Sequence, residues 1–595
     1  LVSTMAHSLA PMLVLLMALL VLSTHAAQGP RPPVGDDKYF SCFYSQTSSS
    51  FSVVRGKLTH ATAHGFFDDT FEANGAAHLF IRTNRDYPDR EQMSCAGYLE
   101  GYMSAHRIKD YYRSYRQSAF PNEELYLMMR QWLDESQSWT LQTLLTPPES
   151  AELMEYWKTV GLTMTQFLSM VQGYNANTDF PLNALDFFML NSLGDMDDLL
   201  PAMNYTLQKK KHAESVLSGS KMTHSEGTTS SSSSSMESSR LPSGASKLDF
   251  CYEPWCIMNA ESNSHCSAII KPIGGELFSA HEMWTGYYQM LMVWKEYDFS
   301  GLRMPHLHSR HIAFSSWPGM LSSEDDFYIT GARLVVMETT NNVYNFTLYD
   351  RLKPSTLVSW IRAITANYMG STSEHWHEVF KRYNSGTYNN QWMVTDMKKW
   401  HSGAKSVLPG TLVIGSQLPE FYMHADVSHF INLHGYWASY NVPYFKEAWK
   451  LAGYDIVTNL YGDQFTWENA PRAKIFRQRQ GNATDMDSLK RLMRYNDWTK
   501  DPLSLNCPMN QLAARGDLSP PGNIALCYRG AFGAVNAKIT NSLKTHAFDA
   551  EIVAGPTHDT QPVFSWTPQI DAMFPTGHFG QPTTWNFNWQ NVRTP

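Results

Sequence analysis

The segment Ser264-His265-Cys266-Ser267-Ala268 is where residue type and position point most directly to chemistry. Cys266 opens an apolar run, Ala268-Ile269-Ile270, after a long polar stretch of low complexity. Cutting the His265–Cys266 bond would free an α-amine with an ordinary pKa of ~7.7–8.0, able to take the thiol proton near neutral pH. Nucleophile and base would then be one residue. The alternative is an unreactive buried or disulfide-bonded cysteine. His306-Leu307-His308-Ser309-Arg310-His311 resembles a metal cluster at first sight. On a strand, however, His306 and His308 share a face and His311 takes the other. No cysteine or carboxylate lies at supporting spacing, so these read as solvated strand or loop residues. The chain carries no G-x-S-x-G, H-E-x-x-H or P-loop motif, which leaves out three common routes to hydrolysis.

Composition narrows the setting. Lys and Arg number 47 against 55 Asp and Glu, a net charge of −8. No basic excess exists to neutralise phosphates, so a nucleic-acid partner is not expected. Aromatic residues make up 13%, which suits a large core and excludes a disordered chain. Residues 1–26 read as a secretory signal peptide: an apolar run from Leu9 to Leu22 precedes Ser23-Thr24-His25-Ala26-Ala27. That run is shorter than the ~20 residues a spanning helix needs. Sequons at Asn204, Asn345 and Asn482 agree with a secretory route. There cysteines tend to pair, and the seven here are Cys42, Cys95, Cys251, Cys256, Cys266, Cys507 and Cys527. Cys251–Cys256 and Cys507–Cys527 are local candidates, although connectivity stays open. An odd count leaves at least one unpaired within the chain.

Helical spacing of apolar residues predicts helices over 122–145, 150–173 and 181–200. Residues 215–246 are rich in Ser, Thr and Gly, with six consecutive serines from Ser230 to Ser235. Such a segment has too little apolar surface to offset its ordering entropy and is expected to be a protease-sensitive linker. Beyond it, 266–271 and 276–280 form a predicted hairpin, and 332–340, 391–396 and 411–415 read as strands. Residues 285–299 and 355–383 read as helices. The length alone suggests about four domains at ~150 residues each.

A series of longer motifs accompanies Cys266. His265-Cys-Ser-Ala-Ile-Ile-Lys271 and Ala280-His281-Glu-Met-Trp284 are followed by Phe314-Ser-Ser-Trp-Pro-Gly319, Asp325-Asp-Phe-Tyr328 and Glu338-Thr-Thr340. Then come Tyr383-Asn-Ser-Gly-Thr-Tyr-Asn-Asn-Gln-Trp392, Tyr436-Trp-Ala-Ser-Tyr-Asn441, Ala470-Pro-Arg-Ala-Lys-Ile-Phe-Arg477 and Leu492-Met-Arg-Tyr-Asn-Asp497. Ala514-Arg-Gly-Asp517 and Gly580-Gln-Pro582 close the series, and Ala96-Gly-Tyr-Leu-Glu-Gly101 lies ahead of Cys266. In these motifs the chain resembles the phospholipase B-like family, lysosomal or secreted proteins with an N-terminal-nucleophile hydrolase fold. The Ser-rich tract and the Cys251–Cys256 region depart from the family pattern.

The resemblance implies an α+β fold, a four-layer αββα sandwich of two stacked antiparallel sheets between helices. It implies a precursor cut between His265 and Cys266 into fragments 27–265 and 266–595, which stay together as one unit spanning 27–595. Cys266 is then the nucleophile, with His281 and Trp284 beside the thiol, His281 orienting the site and Trp284 walling the pocket. The bland reading of His281 is a satisfied core histidine. Thr340 is expected to hydrogen-bond near the nucleophile. Asn390 is the chosen oxyanion donor, Asn389 being its near-equal alternative. Arg472 is assigned to a carboxylate or phosphate, or to an internal ion pair, and Asp325 and Asp326 to structure. The implied reaction is hydrolysis of phospholipid acyl esters with transient contact at a membrane surface, and it needs no metal and no organic cofactor. An amidase acting on N-acyl amides or peptides, or a catalytically silent secreted glycoprotein, are the alternatives.

Overall fold

A computed structural model describes residues 38–120, 122–218, 248–251, 253, 256–257, 266–522 and 526–592. The signal peptide, most of the Ser-rich tract and His265 lie outside the described residues.

Among the described residues four strands precede Cys266: β1 (Tyr39–Ser45), β2 (Ser50–Arg55), β3 (Ala63–Asp68) and β4 (Ala77–Thr83). After it come the hairpin β5 (Ser267–Ile273) and β6 (Glu276–Gly286), then β7 (Val293–Asp298), β8 (His311–Ser316), β9 (Tyr328–Thr330) and β10 (Leu334–Thr340). These are followed by β11 (Asn390–Asp396), β12 (Leu412–Leu418), β13 (Phe421–Asp426) and β14 (Trp437–Ser439). The last are β15 (Phe532–Asn541), β16 (Ala550–Ala554), the two-residue strands β17 (Phe564–Ser565) and β18 (Thr584–Trp585), and β19 (Gln590–Val592).

Eleven strands form one sheet in the order β13-β12-β11-β10-β9-β8-β7-β4-β3-β1-β2. Six form another, β14-β5-β6-β15-β16-β19, and β17 pairs with β18 alone. The sheets meet side chain to side chain: Thr339 and Gln391 of the larger one both bond Ser439 of the smaller, at 2.6 and 2.7 Å. The antiparallel expectation fails at one seam. β4 pairs with β7 in parallel, Ala77 opposite Val293 through Arg82 opposite Asp298. A parallel neighbour needs a long crossover, and here the chain between them holds the helical region and the hairpin β5–β6.

The helices α1 (Asp89–Met103), α2 (Ala105–Ser118), α3 (Glu123–Leu145) and α4 (Ala151–Asn175) come next, with α1 lying on β1, β3 and β4. The Ala96–Gly101 motif owes its glycines to the α1–α4 contact. A Cβ at Gly97 would sit 1.9 Å from Gln166 O, and one at Gly101 2.0 Å from Met170 O. Between these glycines, Glu100 is buried and accepts from Lys295 Nζ at 2.7 Å. The expected 181–200 helix is two helices, α5 (Ala184–Asn191) and α6 (Leu193–Ser218). Asn183 caps α5 with a reciprocal capping box, the signature of a helix start.

Two other helical expectations are corrected. Residues 285–299 end β6, pass through one 3-10 turn at Tyr287–Gln289 and form β7. All six residues of β7 are buried, Lys295, Glu296 and Asp298 included, so the run lacks the alternation of a half-buried strand, and periodicity cannot separate it from a buried helix. Residues 355–383 hold α7 (Ser359–Met369) and α8 (Ser373–Phe380). The break falls at Gly370, and the Thr372 side chain accepts from His375 N to start α8 afresh. On the smaller sheet, α9 (Pro471–Arg479) touches β14 and α10 (Met486–Met493) touches β6. Among the described residues no helix is long and apolar enough to cross a membrane.

Candidate active site

Cys266 stands immediately before β5, with φ at +91°. Non-glycine residues rarely hold positive φ, at a cost of roughly 1–3 kcal/mol each, and such residues gather at functional sites. Three more surround it: Asp326 (+48°), Tyr388 (+56°) and Asn441 (+66°). The other six cysteines pair as Cys42–Cys95, Cys251–Cys256 and Cys507–Cys527, and Cys266 alone is free. The Cys42–Cys95 bridge joins β1 to α1 across 53 residues, a separation that sequence proximity could not reveal.

The thiol is fully buried, and Sγ donates to Glu338 Oε1 at 3.5 Å. Burial pushes the thiol pKa well up and the Glu338 charge adds to it, while a main-chain hydrogen bond from Trp284 pulls the other way. Register explains the neighbours. Residues i and i+2 of a strand share a face, as do directly opposed residues of an antiparallel pair. Glu338 and Thr340 therefore lie together on β10, with Asn390 of β11 opposite Thr340. Thr340 Oγ1 donates to Glu338 Oε2 at 3.2 Å, and Tyr388 OH reaches Glu338 Oε1 at 3.4 Å.

The Asn390 side chain is fully buried, and neither its nitrogen nor its oxygen has a hydrogen-bond partner among the described residues. A buried unpaired amide costs about 1–3 kcal/mol. Asn389 is different: its Nδ2 donates to Gly386 O at 2.9 Å, inside the turn that leads into β11. Asn389 Oδ1 is also buried without a partner among the described residues, so of the two Asn390 is the one whose amide nitrogen has no acceptor there.

His281, on β6, places Nε2 3.0 Å from Glu338 O, while its Nδ1 is buried without a partner among the described residues. Burial and the Lys538 charge push its pKa down to about 3, so the ring is neutral. Nε2 facing a carbonyl assigns the proton to that nitrogen. Lys538 on β15 forms a completely buried ion pair with Asp325 and donates to Asn536 Oδ1 at 2.6 Å. Ser315 Oγ and Ser323 Oγ complete the shell of Asp325 Oδ1. Burial alone would raise the Asp325 carboxyl, but Lys538 overrides it and holds it below its usual range. Asp326 and Glu338 are pushed the opposite way, each by burial first and then by a neighbouring aspartate.

Arg472, on α9, approaches from the other side. Nη1 donates to Cys266 O at 2.6 Å and to Ser267 Oγ at 3.2 Å, and Nη2 donates to Asn441 Oδ1 at 2.6 Å. The guanidinium lies 4.1 Å from the centre of the Trp284 ring. Trp284 Nε1 is itself bonded to Leu512 O at 3.0 Å, so the indole walls the site and supports the arginine. Trp284, Arg472, Asn441 and Tyr440 line a small cleft of about 50 Å³.

The other five expected side chains, His281, Trp284, Thr340, Asn390 and Arg472, thus cluster around Cys266. Residues assigned to structure or not singled out stand beside them, namely Glu338, Asp325, Lys538 and Tyr388. For Glu338 and Lys538 the signal was a charge inside an apolar strand, as in Val335-Val-Met-Glu338 and Ala537-Lys-Ile539. The histidines of 306–311 separate. His306 bonds Thr159, His311 bonds Glu296 at 2.6 Å, and His308 faces the ring of His375.

A family model described as Phospholipase B matches residues 63–592. The chain belongs to the phospholipase B family. It is 33% identical over 556 residues to phospholipase B-like protein D of Dictyostelium discoideum, covering 91% of this chain and 89% of the relative. It is 30% identical to phospholipase B of Crotalus adamanteus and 30% identical to phospholipase B-like 1 of Homo sapiens, each covering 94% of this chain and 93% of the relative. Within this phospholipase B family chain, the Cys266 cluster draws on β5, β6, β10, β11, β15 and α9, which together belong to both sheets.

Proposed function

We propose that this chain is a hydrolase of phospholipid acyl esters, with Cys266 as its nucleophile once the His265–Cys266 bond is cut. The observation that carries the reading is Cys266 itself. It is the one free cysteine of seven, held at positive φ at the head of β5, an interior strand of the smaller sheet, beside a neutral histidine and an unpartnered buried amide. The fold is read as the four-layer αββα sandwich of N-terminal-nucleophile hydrolases. The family's phospholipase names favour an ester of a phospholipid as substrate.

In the cut protein the Cys266 α-amine takes the thiol proton, and Sγ attacks the ester carbonyl carbon. Asn390 Nδ2 donates to the oxyanion that develops, a contribution worth about 10²–10³ in rate when one donor is lost from such a site. The alcohol leaves with the proton held by the amine, and water hydrolyses the thioester. Arg472 fixes the main-chain carbonyl of Cys266, which aims the amine and thiol together. The N-terminal fragment remains as strands β1–β4 of the larger sheet. A lysosomal or extracellular location, with glycans at the exposed Asn204 and Asn482, completes the reading; Asn345 is half-buried, with its Nδ2 on Leu451 O.

N-terminal sequencing of the mature C-terminal fragment tests the proposal. A start at Cys266 is expected, and Cys266→Ala is expected to stay uncut at that bond. A start at any other residue refutes the nucleophile. Assaying the mature form on a phospholipid beside an N-acyl amide then separates ester from amide chemistry.

A further inference from the structure

The α-amine that serves the mature site does not exist before the cut. In the uncut chain that nitrogen belongs to an amide and cannot accept a proton, so the cutting step needs a different base. The structure holds one at the thiol. We infer that Glu338 is the proton acceptor for Cys266 in self-cleavage, a catalytic role separate from that of the α-amine and resting on the reading of Cys266 given above.

Three observations carry this. Glu338 Oε1 is the acceptor of the Cys266 Sγ hydrogen bond. Each carboxyl oxygen meets a donor, Sγ–H on Oε1 and Thr340 Oγ1 on Oε2, which holds the group as an acceptor, while Tyr388 OH, bonded to Glu324 O, stands 3.4 Å from Oε1. Its main-chain oxygen also faces His281 Nε2, so one strand position fixes the carboxylate against the thiol and the imidazole against the strand. His281 is the weaker alternative, because burial and Lys538 reduce its basicity.

As Sγ bonds to the His265 carbonyl carbon, its proton passes to Glu338 Oε1. The intermediate collapses by breaking the bond between that carbon and the Cys266 nitrogen. The proton moves from Glu338 to this nitrogen, which becomes the α-amine, and Glu338 returns to the carboxylate it began as, the form that burial and Asp326 make the less populated but more basic one. Water then hydrolyses the thioester between His265 and Cys266, giving a carboxylic acid and a free thiol. From that point the new amine, attached to the nucleophile itself, takes over as base.

Two full-length forms test the division of labour, each made with wild-type Glu338 and with Glu338→Gln. One is the native chain. In the other, the residues directly before Cys266 are replaced by the recognition sequence of a protease that cuts in front of a cysteine. Loss of a general base typically costs about 10²–10⁴ in rate. The native chain with Glu338→Gln is therefore expected to self-cut at least 100-fold more slowly, by mass spectrometry of the fragments over time. The same variant cut externally is expected to lose under about tenfold in ester hydrolysis. Self-cutting at the wild-type rate overturns the inference, and so do equal losses in both steps. Glu338→Asp keeps the carboxylate one methylene further away and is expected to cut at an intermediate rate; an Asp variant no faster than Gln at an unchanged unfolding midpoint also overturns it. A wild-type chain that is not cut before Cys266 refutes the reading of Cys266 itself, a result distinct from failure of Glu338 alone.

Discussion

Lys538→Met is the sharpest probe of the ground on which His281 stands. Lys538 on β15 and Asp325, in the segment between β8 and β9, are both completely buried and paired with one another. Breaking such a pair by removing one partner costs about 3–5 kcal/mol, because the other charge stays behind unpaired. Asp325 would retain Ser315 and Ser323 as donors, which places the expected loss near the low end, ~3 kcal/mol. At roughly 2 cal/mol/K of unfolding entropy per residue over ~500 residues, that loss lowers the unfolding midpoint by about 3 °C. Differential scanning calorimetry at one fixed scan rate measures it. Removing both charges, as Lys538→Met with Asp325→Asn, is expected to recover at least half of the loss, since no buried charge is then stranded. A single variant within about 1 °C of wild type, or a double variant no better than the single, refutes the view that this pair is electrostatically tense.

Gly97→Ala is expected to be more damaging than its size suggests, because the new methyl meets the Gln166 carbonyl at 1.9 Å and the backbone of α4 cannot rotate aside. A drop in soluble yield, or a loss of at least ~2 kcal/mol by urea unfolding, is the expected readout. Asn390→Ala in the mature protein is expected to lower kcat by about 10²–10³ with KM little changed, whereas Asn389→Ala should act mainly on stability. Asp198 gives a pH signature. Burial first, opposed by hydrogen bonds from Asn389, raises its pKa from 3.8 to about 7. A raised folded-state pKa means the native state binds the extra proton, so this stabilisation is fully present below about pH 4 and is lost as pH rises through about 7. The unfolding midpoint of Asp198→Asn, followed from pH 4 to 8, is expected to fall less steeply with pH than that of wild type.

Much of this site was legible in the sequence because its marker is positional. A cysteine between a polar tract and an apolar strand stands out whatever the fold, and a turn at Gly274-Gly275 sets the hairpin β5–β6 that carries His281 back alongside it. The Asn389/Asn390 choice was not legible. Adjacent strand residues differ only by face, and the face is fixed by pairing of Thr340 with Asn390, a long-range fact. Glu338 and Lys538 were passed over because a charged residue in an apolar strand declares burial but not its partner. Nor could the Thr285–Asp298 run declare itself, since a strand buried on both faces loses the alternation by which strands are recognised.

Were the chain cut before Cys266, the parallel pairing of β4 with β7 would give the molecule a one-way history. Residues 77–83 and 293–298 sit side by side in the middle of the larger sheet, so the two sides of Cys266 are woven into one fabric. While the chain is continuous, finding that register is a search within a single molecule. After a cut before Cys266 the same search becomes an encounter between two, whose success depends on concentration. The cut protein would keep its shape through slow unfolding rather than through ready refolding, as a knot holds after the rope that tied it is trimmed. Only the uncut chain would carry the instructions for assembly, and each mature molecule would have a single folding event to spend.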